Sequence, residues 1–507
     1  MPVTERLGLH PLWVLLLMPL AGALVTLSLA PFDFWPAGIL SCALYCYLLS
    51  TCDSGQALRR GWLFGLGLFG SGASWVYVSI HVYGYASVPL AALLTVLFCA
   101  GLALLHALFA WCYVRFVRPL PGGMLLGFAA LWVLFEWLRS SLLTGFPWLY
   151  LGYAHLDTWL AGWAPVLGVY GLSFITALTG SCLFLAWRRR QWAALAVYTS
   201  LVLTLWVGGA ALRQVEWVVP AAQQPLTVAL YQPNIPQQLK WQRAYYPAIL
   251  GQFDQALDDM YGYDIVLWPE SALPRFYQQA RDYLDPVATR MQQEGSTLIT
   301  GIPFREPGNG SDYFNSIIAL GTGEGVYHKQ HLVPFGEYVP LEDWLRGLID
   351  FFDLPMSGFT AGPEGQAMLR AGDFRVAPFI CYEVVYPELV ARAAQRADLL
   401  VTISNDSWFG ASIGPLQHLQ MAQMRALETG RYMLRGTNNG VSAIIDHRGR
   451  ILVRSAQFEE AIITGEAEVM LGSTPAAGFG TKPVFAGCIL LLLLMLVMRH
   501  TLWREQK

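Results

Sequence analysis

The first 209 residues contain no lysine, and only five acids against nine arginines. Over the whole chain the charged share is 13% and the hydrophobic share 55%. Soluble domains carry roughly 25% charge, so a chain that is water-soluble throughout is excluded and part of it belongs in lipid. Beyond Arg188-Arg189-Arg190 there is no basic cluster, which leaves nucleic-acid binding without support. Cysteine is scarce as well. The region 226–470 has one, Cys381, while Cys42, Cys46, Cys52, Cys99, Cys112, Cys182 and Cys488 lie in or beside apolar runs. Cys381 therefore has no disulfide partner within its own region. The same region has two lysines, Lys240 and Lys329.

At 507 residues the chain is too long for one ordinary domain. Seven apolar runs come first: Pro11–Ala30, Pro36–Leu49, Gly61–Ile80, Val88–Val114, Gly122–Leu138, Trp163–Trp187 and Gln191–Ala211. An eighth, Val484–Met498, follows the charged region. A spanning helix needs about 20 apolar residues, so the second and eighth runs must borrow flanking residues. The first run resembles a signal peptide in length. Six more runs follow it and no small-residue cleavage site is visible, so it reads as a retained helix. This predicts seven transmembrane helices over 1–211, a soluble domain over 226–470 and an eighth helix at 484–498.

The arginines set the orientation. With the amino terminus inside, Arg6, Arg59, Arg60, Arg115, Arg118 and Arg188 to Arg190 fall on the inner side, with Arg499, Arg504 and Lys507 in the inner tail. The short outer loops hold only Arg139. Positive residues favour the cytoplasmic side, so both termini are expected there and residues 226–470 outside. In a Gram-negative cell that is the periplasmic face of the inner membrane. Glu136, beside Arg139, is either a functional intramembrane acid or half of an interfacial ion pair. The loop Gly145-Phe146-Pro147-Trp148-Leu149-Tyr150 is either an interfacial anchor or a lipid entrance.

In the soluble region, short β-branched runs alternate with amphipathic stretches. Thr227–Tyr231, Ile265–Trp268, Thr297–Ile302, Ser316–Leu320, Phe374–Ile380 and Leu399–Ser404 predict strands. Tyr246–Tyr261, Tyr283–Glu294 and His418–Thr429 predict helices. The alternation implies an α/β domain with a buried sheet. Three strand ends carry polar residues: Trp268-Pro269-Glu270, His328-Lys329-Gln330-His331, and Ile380-Cys381-Tyr382-Glu383. Singly, Glu270 could be a turn or capping residue, and Cys381 a small core hydrophobe. Together they are a chemical set. A thiol with a pKa near 8.5 is only a few per cent thiolate at neutral pH. A carboxylate can take its proton, and an ammonium can stabilise both the thiolate and a tetrahedral oxyanion.

With Lys329 ahead of Leu332-Val333-Pro334-Phe335-Gly336-Glu337, these segments look like the signatures of the nitrilase (carbon–nitrogen hydrolase) superfamily. The flanking membrane helices, Ile403-Ser404-Asn405-Asp406-Ser407-Trp408-Phe409-Gly410, and Ser442 after Thr437-Asn438-Asn439-Gly440-Val441 narrow it. The whole chain resembles the bacterial apolipoprotein N-acyltransferase family. The resemblance implies a helical membrane bundle plus an α/β nitrilase-like αββα sandwich, with Glu270, Lys329 and Cys381 as the catalytic triad. It implies Glu337 and Glu383 as supporting acids, and Trp241 and Tyr382 as substrate-handling residues. It also implies a reaction needing no cofactor or metal. A phospholipid donates an acyl chain to the cysteine, and the α-amino group of a diacylglyceryl-cysteine apolipoprotein accepts it.

Both substrates are lipids of the same leaflet, and a domain tethered by spans is concentrated beside them. Within Phe351–Phe359, the residues Phe351, Phe352 and Phe359 are candidates for a lid that dips into the headgroups; ordinary core packing is the alternative. His328, His331, His418 and His447 could supply a papain-like Cys–His pair, but nothing local marks one as the base. His328 and His331 stand three apart with no metal-ligand cluster around them. The enzymatic rival is a membrane-tethered amidase or nitrilase, in which water takes the acyl group. The non-enzymatic rival is a transporter or receptor with a sensing ectodomain, and the membrane half shows almost no intramembrane charge and no evident repeat to support it.

Overall fold

A computed structural model describes residues 11–222, 224–306, 312–334, 336–338 and 358–505. The described residues fall into two compact units. One is drawn from Met1–Tyr77, Val88–Val215 and Thr481–Lys507, the other from Val78–Ser87 and Glu216–Gly480.

The first unit is helical, and seven of the eight apolar runs follow a helical segment, whereas Gly61–Ile80 is interrupted after Gly72. Val88–Val117, Gly123–Thr144, Trp159–Arg189, Trp192–Leu212 and Lys482–Leu502 are long and apolar enough to cross a membrane. Ser54–Gly72 qualifies only together with Val76–Tyr83, across a bend of 62°. Leu12–Leu27 and Pro36–Ser50 are shorter apolar helices. In lipid, where apolar burial drives little association, helices meet through small residues. Gly61 and Gly65 supply that spacing: a Cβ on Gly61 would sit 2.2 Å from the His106 carbonyl oxygen, and one on Gly65 2.6 Å from Ala103 Cα.

Glu136 and Arg139 have a structural task here. Glu136 Oε1 accepts from Trp132 Nε1 and from the Leu151 N–H, each at 3.0 Å. Arg139 Nη2 donates to the Trp148 carbonyl at 2.8 Å, and its guanidinium lies over the rings of Phe69 and Tyr150. The two charges thus satisfy the backbone of an irregular loop where water cannot. Trp148, Leu149 and Tyr150 are buried inside the helical unit, which corrects the expectation of an interfacial anchor or a lipid entrance at those three residues.

The second unit holds two six-stranded mixed sheets. In one, the strands Leu226–Gln232, Ile265–Leu267 and Thr297–Phe304 run parallel, with antiparallel Ala461–Ala467 on one side and Phe314–Gly321 then Val326–His328 on the other. In the other, Phe374–Ile380, Leu399–Ser404 and Met433–Thr437 run parallel. They are flanked by Leu369–Ala371 and by the pair Ala443–Ile445 and Ile451–Arg454. Leu230, Leu267 and Ile299 from the first sheet share one apolar core with Val376, Val401 and Leu434 from the second. A further core, with Ala229, Val266 and Leu298, packs the first sheet against the helices Tyr246–Leu257 and Tyr277–Gln293. All six predicted strands and all three predicted helices are present, with ends differing by a few residues. The strands are buried almost throughout, so they read as short continuous apolar runs between amphipathic helices.

Candidate active site

Because the central strands run parallel within each sheet, their carboxyl ends lie together, where α/β proteins bind ligands. Glu270 follows Ile265–Leu267, Lys329 follows Val326–His328, Cys381 follows Phe374–Ile380, and Asn405 follows Leu399–Ser404. Glu270, Lys329 and Glu337 are buried. Lys329 Nζ is 2.7 Å from Glu337 Oε2 and 3.9 Å from Glu270 Oε1. Asn315 Nδ2 bridges the two acids, donating to Glu270 Oε1 at 2.7 Å and to Glu337 Oε1 at 2.9 Å. The Asn405 N–H donates to Glu270 Oε2 at 2.8 Å, and the Val333 N–H to Glu337 Oε2 at 2.8 Å. Lys240, fully buried, donates from Nζ to the Glu270 carbonyl oxygen at 3.1 Å. Both lysines of the soluble region therefore converge on one glutamate.

Cys381 sits at a strand-to-turn junction with φ +51°, a left-handed conformation that non-glycine residues adopt rarely. It opens a short 3-10 turn, Cys381–Val385. Its thiol is pushed well above its ordinary range, first by burial and then by the Glu270 carboxylate; Lys329 opposes this. Burial also raises Glu270, against the pull of Lys329. Burial alone would depress Lys329, but Glu337 and Glu270 overcome it and raise the ammonium. At rest, then, the lysine is charged, the thiol is neutral, and the glutamate is a stronger base than a free carboxylate. That is the poise wanted for a proton that must move between thiol and carboxylate.

Glu383 ties the nucleophile turn to the lysine segment. Its Oε2 accepts from the Ile380 N–H at 2.8 Å; its Oε1 accepts from Tyr327 OH at 2.9 Å, the Gln330 N–H at 2.7 Å and the His331 N–H at 3.2 Å. Burial raises this carboxyl to about 7, while the backbone donors hold it down. Tyr382 is buried with its ring centroid 5.4 Å from that of Tyr386. Trp241 is half-buried at the end of Gln237–Lys240, and its Nε1 has no partner among the described residues. Lys240, its neighbour, thereby anchors the Trp241 segment to the backbone of Glu270.

Of the lid candidates, Phe351 and Phe352 lie outside the described residues. Phe359 is buried, with its ring 5.0 Å from Tyr313 and its N–H on the Glu337 carbonyl at 3.0 Å. Among the histidines, His418 reaches Cys381, but at the carbonyl oxygen. His328 Nδ1 faces Ser316 Oγ at 2.7 Å, and His331 packs on Tyr386. Ser442 belongs to a buried network with Gln232 Oε1 and Thr437 rather than to the acid cluster. The sequence reading missed Asn315, Asn405 and the placement of Lys240. The only signal for Asn405 was its place in the segment Ile403–Gly410.

The two-sheet unit with this strand-end cluster falls in the carbon-nitrogen hydrolase class, whose family model matches residues 227–476. The apolipoprotein N-acyltransferase N-terminal domain model matches residues 21–182. The chain is 50% identical to the apolipoprotein N-acyltransferase of Pseudomonas syringae pv. tomato, covering 93% of this chain and 94% of that one. It is 48% identical to that of Pseudomonas aeruginosa PAO1, covering 94% of each. The Coxiella burnetii protein of the same name is 39% identical, over 94% of this chain and 98% of that one. The chain belongs to the apolipoprotein N-acyltransferase family.

Proposed function

We propose that the protein moves an acyl chain from a phospholipid, through a thioester on Cys381, to the α-amino group of the diacylglyceryl-cysteine of an apolipoprotein. The observation that carries this reading is the buried Glu270–Lys329–Glu337 cluster, electrostatically coupled to Cys381, in a chain with apolar helices long enough to cross a membrane. Glu270 takes the thiol proton as the sulfur attacks the acyl ester carbonyl. Lys329 stabilises the oxyanion. The intermediate collapses, the lysophospholipid alkoxide leaves, and Glu270 returns the proton to it. The acceptor amine then attacks the thioester, Glu270 removes its proton, and the thiol is restored. Glu337 and Asn315 hold the lysine and the base in register; Glu383 holds the turn. Trp241 and Tyr382 handle substrate; Phe351 and Phe352 stay lid candidates outside the described residues, while the packing of Phe359 on Tyr313 favours the core alternative for that residue.

We assign 1–211 to seven membrane helices, 226–470 to a periplasmic αββα domain and 484–498 to an eighth helix, in a bacterial inner membrane with both termini cytoplasmic. The arginine asymmetry supports the orientation. A phosphatase fused after Arg213 is expected to be active and one fused after Arg190 inactive; the reverse pattern overturns the orientation.

The test of the chemistry is the mass of the intact protein after mixing with phospholipid alone. An acyl adduct on Cys381 is expected, persisting until an acceptor is added. One thiol serving two substrates in turn requires parallel double-reciprocal plots, and intersecting ones sink the mechanism. The hydrolase reading draws on the carbon-nitrogen hydrolase match. It gains the day if lysophospholipid keeps accumulating without any amine.

A further inference from the structure

Behind Cys381 lies a cluster of buried charges that the acyl-transfer steps do not use. Asp406 comes from the turn after the strand Leu399–Ser404, His418 from the helix Gly414–Thr429, and Arg435 from the strand Met433–Thr437. None exceeds 1% exposure. Arg435 Nη2 donates to Asp406 Oδ2 at 2.7 Å and lies 3.1 Å from His418 Nδ1. Asp406 Oδ1 accepts from Ser404 Oγ at 2.7 Å and lies 3.2 Å from His418 Nδ1. The other ring nitrogen, Nε2, is 3.1 Å from the Cys381 carbonyl oxygen.

The chemistry of the partners fixes the proton. A carbonyl only accepts, so Nε2 carries the hydrogen. Burial and then Arg435 hold His418 below its ordinary range, against the opposing pull of Asp406, and Nδ1 stands between a donor, Arg435 Nη2, and an acceptor, Asp406 Oδ1. Burial alone would raise Asp406, but Arg435 and His418 hold it at about 2, so the aspartate stays charged. The ring is therefore gripped on its Nδ1 side, and Nε2–H is left for the Cys381 carbonyl.

The consequence falls on the nucleophile. Cys381 has φ +51°, a conformation that persists in a non-glycine residue only where the surroundings over-determine it. A trans peptide holds its C=O and N–H antiparallel. The bond that captures the Cys381 carbonyl thus also aims the Tyr382 N–H. One residue before Asp406, the Asn405 N–H holds Glu270 Oε2 at 2.8 Å. The same turn braces the base directly and the nucleophile through His418.

We propose that His418, locked by Arg435 and Asp406, is a positioning residue that keeps Cys381 in its left-handed turn by donating to its carbonyl oxygen. The proposal rests on the reading of Cys381 as nucleophile. The experiment uses the full-length protein in phospholipid nanodiscs without acceptor, following acyl-Cys381 by intact mass and foldedness by melting temperature. His418→Gln places an amide N–H where Nε2 stands; His418→Asn keeps an amide but falls short of the carbonyl. The glutamine variant should keep most of the rate of adduct formation. The asparagine variant should melt with it and yet be slower by about 10²-fold, the scale of a misplaced reacting group. Equal rates in the two variants overturn the proposal. So does an unfolded asparagine variant, which would make the histidine a plain stability element, or a glutamine variant that fails to fold or to react. Absence of an adduct in the wild-type protein strikes the parent reading instead.

Discussion

Cys381→Ser is expected to form no acyl adduct and to lose turnover by on the order of 10⁴-fold or more, as removal of a nucleophile does elsewhere. The surroundings of Cys381 make the loss severe. Burial and the Glu270 carboxylate already push its thiol above the ordinary range. A serine hydroxyl in the same place is far less acidic, and a carboxylate is a weak base for it even when burial raises it as it raises Glu270. Lys329 favours either anion alike, so it does not close that gap. The fold should survive. Serine is nearly isosteric, and the Ile380 N–H and the Cys381 carbonyl keep their partners, Glu383 and His418. Intact mass and melting temperature, measured on one sample, check both halves. A serine variant that accumulates acyl-enzyme removes Cys381 as nucleophile.

The parts of this site that could be read in the sequence are those whose chemistry is local. Glu270 and Lys329 each follow an apolar strand with a group that is costly to bury, and Cys381 is the one cysteine of 226–470, so each stands out in its own short segment. Asn315 and Asn405 do not. Asn315 lies within the strand Phe314–Gly321, and Asn405 acts on Glu270, 135 residues away, through its backbone N–H. A backbone donor leaves no mark on residue type. Strand Met433–Thr437 was missed for a related reason. It is buried throughout, but Arg435 in its centre reads as a surface charge until Asp406 is found beside it. The same blindness affected Glu136 and Arg139. Their partners are main-chain groups of the following loop, so composition suggested an ion pair or a site where the structure has a brace. The aromatic loop followed: Trp148 and Tyr150 looked interfacial because the sequence does not show that Arg139 draws them inward.

Glu270→Gln and Lys329→Ala are each expected to cost about 10²–10⁴-fold in acyl-enzyme formation, the range for a lost general base or oxyanion donor. Their pH behaviour tells them apart. Glu270 works ionised, and burial raises its pKa, so wild-type alkylation of Cys381 should fall as pH drops through that raised value. In Lys329→Ala the cation that lowers Glu270 and Cys381 is gone, while Glu337 remains as a like charge. Both groups then move further up, and the acid limb shifts to higher pH. In Glu270→Gln the carboxylate that raises Cys381 is absent, so the thiol itself titrates at lower pH. Alkylation well above neutrality then recovers even though acyl transfer, which still needs a base, does not. The rate of Cys381 alkylation against pH in the three proteins measures this directly. An unmoved acid limb in Lys329→Ala would mean that the lysine does not act on the base. Unchanged neutral-pH alkylation in Glu270→Gln, with turnover collapsed, would shift the glutamate's role from thiol deprotonation to the leaving-group or amine step.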